Sequence, residues 1–208
     1  MSASGILFLV AGPSGAGKST VLRRFLKSSS NLERAISVTT RASRTGEKNG
    51  KDYHFWSRPR FEKAVSRGAF LEHAVVHGTE RYGTLKRFVS DRLEAGVDVI
   101  KDIDVQGVAQ IRRIMPHPLS VAIFLAPPEP RDLAARLSKR GSEGAPELAR
   151  RLASARREMR RIGEYDYLVL NQEVGQAVEE LRAIRRSEQL RPCRLQAAFK
   201  KAWFEDAD

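Results

Sequence analysis

Residues 12–19 read GPSGAGKS, and every fixed position of the pattern G-x-x-x-x-G-K-[ST] is filled by Gly12, Gly17, Lys18 and Ser19. That run of residue types suits polyphosphate chemistry. Glycines let successive backbone N–H groups curl around phosphate oxygens with no Cβ in the way. A helix beginning at Lys18 adds partial positive charge at its N-terminus. Lys18 can reach the β- and γ-phosphates and the Ser19 hydroxyl can ligate Mg²⁺. Pro13, Ser14, Gly15, Ala16 and Thr20 complete the stretch expected to bind ATP. The motif does not name a reaction, because GTPases, ATPases and small-molecule kinases share it. A regulatory GTPase would add an Asn-Lys-x-Asp guanine reader, and the nearest match, Asn49-Gly50-Lys51-Asp52, has the wrong spacing.

A kinase needs a second anion site facing the γ-phosphate, and residues 37–55, SVTTRASRTGEKNGKDYHF, offer one. They hold four cations, two acids and several hydroxyls without helical or strand periodicity. Arg41 and Arg44 with Tyr53 could clamp one phosphate, since guanidinium forks match its oxygens in pairs. Read alone, the same stretch is equally a solvated surface loop. Asp102 and Asp104 lie two apart at the end of a predicted strand. They are expected to point the same way, one toward the acceptor and the other toward the Mg²⁺ shell, with Asp102 acting through water. From 131 to 161 the chain carries ten Lys+Arg against four Asp+Glu. Arg136 and Arg140 share a helix face there, with Arg151 on the next helix. Arg150, Arg156, Arg157, Arg160 and Arg161 are expected in solvent, because one helix cannot aim all of them inward. His73 and His77 do not form H-E-x-x-H and are not expected to hold a metal.

The elements that must position these groups follow from periodicity. The run GILFLVA, 5–11, predicts a buried strand leading into a helix over 18–27 that stops at SSSN. Further strands are expected over 35–38, 70–76, 97–104, 119–125 and 165–170. Helices are expected over 60–67, 86–95 with Gly96 beyond its end, 108–115, 131–140, 146–162 and 174–187. Alternation of strands and helices argues for a parallel sheet with crossover helices, an α/β core. The chain divides accordingly into a core (1–36, 91–130, 163–187), an acceptor region (37–90), a lid (131–162) and a basic tail (188–208).

The chain has 208 residues, 41% hydrophobic, enough for one sizeable core. The apolar run Ile6–Ala11 is too short to cross a bilayer, and no basic segment marks a signal peptide before it. Cys193 is the only cysteine, so no disulfide forms within the chain, which fits a reducing, cytoplasmic setting. A net charge of +12 attracts anions, whether nucleotides, nucleic acid or acidic lipid.

Taken together, S-V-T-T-R-x-x-R-x-G-E-x-x-G-x-D-Y-x-F resembles the GMP-binding signature of the guanylate kinase family. F-L-E at 70–72, Y-G-T at 82–84, D-I-D-V-Q-G at 102–107, R-L-S-K-R-G at 136–141, R-R-L at 150–152 and L-V-L-N at 168–171 follow in family order, so the likeness runs from about 5 to 187. It implies a P-loop NTPase-type parallel sheet flanked by helices, with a small mixed GMP-binding insertion and a helical lid. It implies that Ser37, Glu72 and Thr84 read the guanine edge. Arg41, Arg44, Tyr53 and Tyr82 would hold the GMP phosphate, with Asp102 and Asp104 alongside. Lys18, Arg44, Arg140 and Arg151 would neutralise the transferring phosphoryl group, and Arg136 and Asn171 would lie near the adenine. The reaction implied is ATP + GMP to ADP + GDP with Mg²⁺. One position departs from the family pattern: Lys101 stands before the acidic strand end, where many relatives are apolar.

Three other readings compete. A guanylate-kinase-like interaction module would bind phosphopeptides in the same pocket, but such modules typically lack an intact phosphate loop. A P-loop kinase for another acceptor would not depend on Glu72. Nucleic-acid binding rests on charge alone, with no RNA-recognition aromatic signature behind it. No membrane partner is expected, and the sequence does not choose between monomer and homo-oligomer.

Overall fold

The computed structural model describes residues 4–76, 78–140, 145–194 and 203–204. In chain order, β1 (Leu7–Ala11) leads through the glycine-rich loop into α1 (Lys18–Lys27), followed by β2 (Leu32–Arg34), β3 (Val38–Thr39), β4 (His54–Phe55) and α2 (Arg58–Ser66). Next come β5 (Phe70–Val76), β6 (Glu80–Leu85), α3 (Lys86–Glu94), β7 (Asp98–Asp102) and α4 (Val105–Ile114). The chain continues with β8 (Ser120–Ala126), α5 (Pro130–Arg140), α6 (Ala145–Met159), a 3₁₀ turn at Ile162–Glu164, β9 (Tyr167–Leu170) and α7 (Val174–Gln189).

The core is a five-stranded parallel sheet in the order β2-β7-β1-β8-β9. Every residue of β1 and β8 is buried, which explains why these strands read as unbroken apolar runs: helices cover both faces. Phe8 and Val10 pack toward Val21, Leu22 and Phe25 of α1 and Val178, Leu181 and Ile184 of α7. Leu7, Leu9 and Ala11 pack on the opposite face with Val89 of α3 and Val108 and Ile111 of α4. Each fully buried side chain of this kind contributes on the order of 1.5–3 kcal/mol. The sheet therefore holds the carboxyl ends of β1, β7 and β8 as a rigid rim, where α/β proteins place ligands.

A second sheet, β4-β3-β6-β5, carries the acceptor region. β5 and β6 run antiparallel with Glu72 directly opposite Thr84, and the register shifts between Phe70 and Glu72. Val38, Phe61 and Phe70 form a separate small core beneath it. The helical arm α5–α6 has its own cluster in Leu133, Leu137 and Ala155, with Leu148 and Leu152 against it.

Several expectations need correction. The strand expected over 35–38 divides: β2 ends at Arg34, Ala35 N–H still bonds Ile100 O at 2.9 Å, and Ser37 O already accepts from His54 in the second sheet. β6 was not expected, because ERYGTL has no apolar alternation. α4 begins at Val105, three residues before the predicted start. Its cap is Asp104, whose Oδ1 accepts from Gly107 N–H at 2.7 Å. β7 stops at Asp102, so the two acids do not share a strand face. α7 runs to Gln189, past the expected end at 187.

Candidate active site

The phosphate loop owes its path to glycines at two positions above all. Gly12 has φ 145°, and a Cβ there would lie 1.9 Å from Leu125 O; Gly17 has φ 91°, with Asn171 Nδ2 at 2.3 Å from a Cβ. Gly17 caps α1 without any side-chain hydrogen bond, so an anion can use the first-turn amides. Lys18 Nζ lies across the loop, donating to Gly12 O and, at 3.3 Å, to Pro13 O. The far side is braced. Asn171 Nδ2 donates to Ala16 O at 2.7 Å, while Arg136 donates to Asn171 O at 2.7 Å and to Ala16 O at 3.4 Å. Asn171 Oδ1 is a buried acceptor with no partner among the described residues.

The acceptor loop is held differently, by its own acid. Glu47 accepts from Arg41 at 2.8 and 3.0 Å and from Arg44 N–H at 2.8 Å. The Arg41 hydrogen bond and then the Arg44 amide hold the Glu47 carboxyl below the usual carboxylate range. Arg41 in turn has its guanidinium pKa raised, chiefly by Glu47. Its charge sits 5.3 Å from the Tyr53 ring centre and 5.9 Å from that of Phe55, and it donates to Tyr82 Oη at 3.3 Å. Arg41, Tyr53 and Tyr82 are thus gathered as predicted, whereas the Arg44 residue is exposed.

A third cluster is buried. Glu72 (7% exposed) accepts from Thr84 Oγ1 at 2.5 Å, and Lys101 (2% exposed) donates to Ser37 Oγ and, at 3.3 Å, to Ala35 O. Burial pushes the Glu72 carboxyl up, against the Thr84 hydrogen bond and the Lys101 charge. Burial pulls the Lys101 ammonium down to about 8, against the Glu72 charge. Thr84 thus bonds Glu72 directly, and Ser37 is linked to the pair through Lys101, whose charge acts on Glu72.

One cleft of about 440 Å³ joins the phosphate loop to Tyr53 of the acceptor region and to the end of β7. Its walls include the loop from Gly12 to Ser19, Tyr53, Asp102, Asp104 and two residues sequence reading did not single out, Arg34 and Glu158. Arg34 ends β2, and Glu158 reaches in from α6, its carboxyl pushed up by burial in spite of the Lys18 charge. Arg157, exposed as expected, and the half-buried Arg161 line an adjoining pocket of about 410 Å³ with Asp104 and Glu158. The helix is amphipathic, and a solved fold is needed to tell which rim faces the cleft. Arg151 pairs with Glu147 at 3.7 Å on α6 and is not among the cleft walls. The Arg140 side chain, His77 and the loop 141–144 lie outside the described residues.

Ser19 and Asp102 share the cleft wall, and both offer hard oxygen donors. That donor set suits Mg²⁺, which keeps waters and phosphate oxygens in its shell. Among the described residues no group of three or more His, Cys, Asp or Glu could hold a metal outright. No described helix is long and apolar enough to cross a membrane.

The family model for guanylate kinase matches residues 5–188. A guanylate kinase of Dechloromonas aromatica is 45% identical over 184 residues, covering 88% of this chain and 90% of that one. The guanylate kinase of Escherichia coli K12 is 43% identical over 194 residues, covering 92% of each. The crystal structure of guanylate kinase from Anaplasma phagocytophilum superposes with a TM-score of 0.78 at 30% identity, over 100% of this chain and 99% of that one.

Proposed function

The chain belongs to the guanylate kinase family, an ATP:GMP phosphotransferase by that membership, and from this premise we propose how its residues divide the work. A GMP phosphate oxygen attacks the γ-phosphorus of ATP. The bond from that phosphorus to the β,γ-bridging oxygen breaks, its electron pair leaves with ADP, and GDP forms. There is no covalent enzyme intermediate in this scheme, so the protein's task is positioning and charge neutralisation.

On the donor side, the Gly12–Thr20 loop cradles the triphosphate through its backbone amides. Lys18 exchanges its two carbonyl contacts for phosphate oxygens. The orphaned Asn171 Oδ1 is suited to accept from an adenine amino group, with Arg136 fixing the segment that carries it. Mg²⁺ would be held by Ser19 and, through water, by Asp102, and would supply charge neutralisation of the polyphosphate. On the acceptor side, Arg41, Arg44, Tyr53 and Tyr82 hold the GMP phosphate. Glu72 accepts from N1–H and the 2-amino group of guanine, with Thr84 fixing its carboxylate. Adenine offers no such donor pair and would leave that carboxylate buried and unpaired. Arg140 and Arg151 reach the transferring group when the α5–α6 lid closes, which also excludes water. The reducing setting implied by a single cysteine makes the cytoplasm the expected compartment.

The observation that carries this reading is a phosphate loop joined in one cleft to Tyr53 of the acceptor region, and the buried Glu72–Thr84 pair supports it. A nucleotide panel tests it: ADP release is measured with GMP, AMP, CMP and UMP as acceptors. GMP should be preferred by a factor of about 10³ or more. Equal use of all four would overturn the guanine assignment.

A further inference from the structure

Lys101 occupies an unusual position. It sits inside the parallel sheet, paired in register with Leu9 of β1, and is 2% exposed. Lysines are almost never buried so fully without partners. Its ammonium has three donors and no acceptor, and two of the donors go to Ala35 O and Ser37 Oγ. Three charged groups surround it: Glu72 from β5, Arg34 from β2 and Asp102 from its own strand. Ser37 and Glu72 are two of the residues assigned above to the guanine edge, so this buried charge stands directly behind the base reader.

The hydroxyl of a serine is ambiguous. It can donate one hydrogen or accept two, and rotates to suit its partner. A serine left to itself could therefore meet a 6-oxo group as donor or a 6-amino group as acceptor. A lysine N–H on Ser37 Oγ restricts that freedom: it fills one of the two lone pairs, and the serine hydrogen, which cannot point back at an ammonium, is left to donate on the other side. Glu72 is engaged by N1–H and the 2-amino group, which leaves O6 of guanine as the acceptor still needing a donor.

We propose that Lys101 is a specificity-determining positioning residue: by donating to Ser37 Oγ it fixes the Ser37 O–H as a donor aimed at the 6-oxo group of the acceptor base. The proposal rests on the guanylate kinase reading of the site and adds to it a residue that touches neither substrate.

The experiment compares GMP with 2,6-diaminopurine riboside monophosphate, which keeps the 2-amino group and carries an amino group at position 6. In Lys101→Met, KM for GMP should rise about tenfold while kcat stays within about threefold and KM for ATP is unchanged. The kcat/KM preference for GMP over the diaminopurine nucleotide should fall about tenfold. In a Ser37→Ala background, adding Lys101→Met should change KM for GMP by less than about threefold, because the serine through which it acts is gone. Lys101→Gln, which keeps an N–H donor, should recover part of the preference. Unchanged preference in Lys101→Met, an equal loss in both serine backgrounds, or a uniform fall in kcat and both KM-governed rates would each overturn the proposal. If the lysine variants fail to fold, Ser37→Ala alone still decides, since an unaltered 6-oxo preference there removes the proposed route. Failure of the wild-type enzyme to prefer GMP would instead sink the guanine reading itself, before any Lys101 variant is made.

Discussion

Two loops of this protein carry groups suited to phosphate, and they are built on opposite plans. The Gly12–Ser19 loop is braced from behind by Asn171 and Arg136 and hemmed in by Leu125 O, so its shape is set by the fold. Within the 37–55 stretch, residues 42–46 and 48–51 are exposed, and Arg41 is held by the carboxylate of Glu47, an anion supplied by the loop itself. A carboxylate can take the same bidentate hydrogen bonds from a guanidinium that a phosphate takes. The donor loop is thus held by contacts from the rest of the fold, while the acceptor loop is held by contacts of its own that a ligand could share or replace. A site that must hold ATP and admit GMP gains from that division, because only one of the two loops has to adjust.

The sharpest way to break the comparison is at Lys18. Lys18→Ala should lower kcat by about 10³-fold while shifting the melting temperature by only a few degrees. Steady-state kinetics with thermal denaturation checks it, and a variant that is unfolded or fully active contradicts the role. Glu72→Ala should come next, with kcat/KM for GMP down about 10²-fold and the margin over AMP largely lost, as a nucleotide panel would read. If the donor loop is as rigid as its contacts indicate, Gly17→Ala should cost about 1–3 kcal/mol of stability, through strain at positive φ and the clash with Asn171. Denaturant titration measures this, and no loss would mean the loop yields more readily than its bracing implies.

The smallest effect is expected at Glu47. Glu47→Gln should speed amide hydrogen exchange across 41–53 in the ligand-free enzyme, with GMP restoring protection and KM for GMP rising only about threefold. Acid should act in the same direction. The folded carboxyl lies below its ordinary range, so its contribution is whole above that range and is lost as pH falls through the depressed value. Equal exchange with and without GMP, in wild type and variant alike, would mean the two loops do not differ in the way described.

Legibility in the sequence followed the range of the interactions. β5 and α1 fall on the predicted residues, because each is short, patterned and bounded by turn residues. β6 escaped notice because its buried face is polar: Thr84 points at Glu72, not at a hydrophobic core. Asp104 was misread as a strand residue because the helix cap three residues before Gly107 has no periodic signal of its own. Glu158 was hidden among a run of similar arginines and glutamates on one helix. Only the packing of α6 over the cleft picks it out.

The sequence by itself determined the phosphate loop, since Gly12, Gly17, Lys18 and Ser19 fall within eight consecutive residues whose backbone and side chains act locally. It also determined the chemical types in the acceptor clamp, Arg41, Arg44 and Tyr53, because these too lie in one short run. What it could not decide was everything that needs distant segments to meet. Lys101 reaches Ser37 across 64 residues, Arg136 reaches Ala16 across 120, and Glu72 faces Thr84 only through the β5–β6 register. Those contacts exist because the parallel core fixes where each strand ends, and a buried charge or hydroxyl takes its meaning from whatever the fold sets beside it.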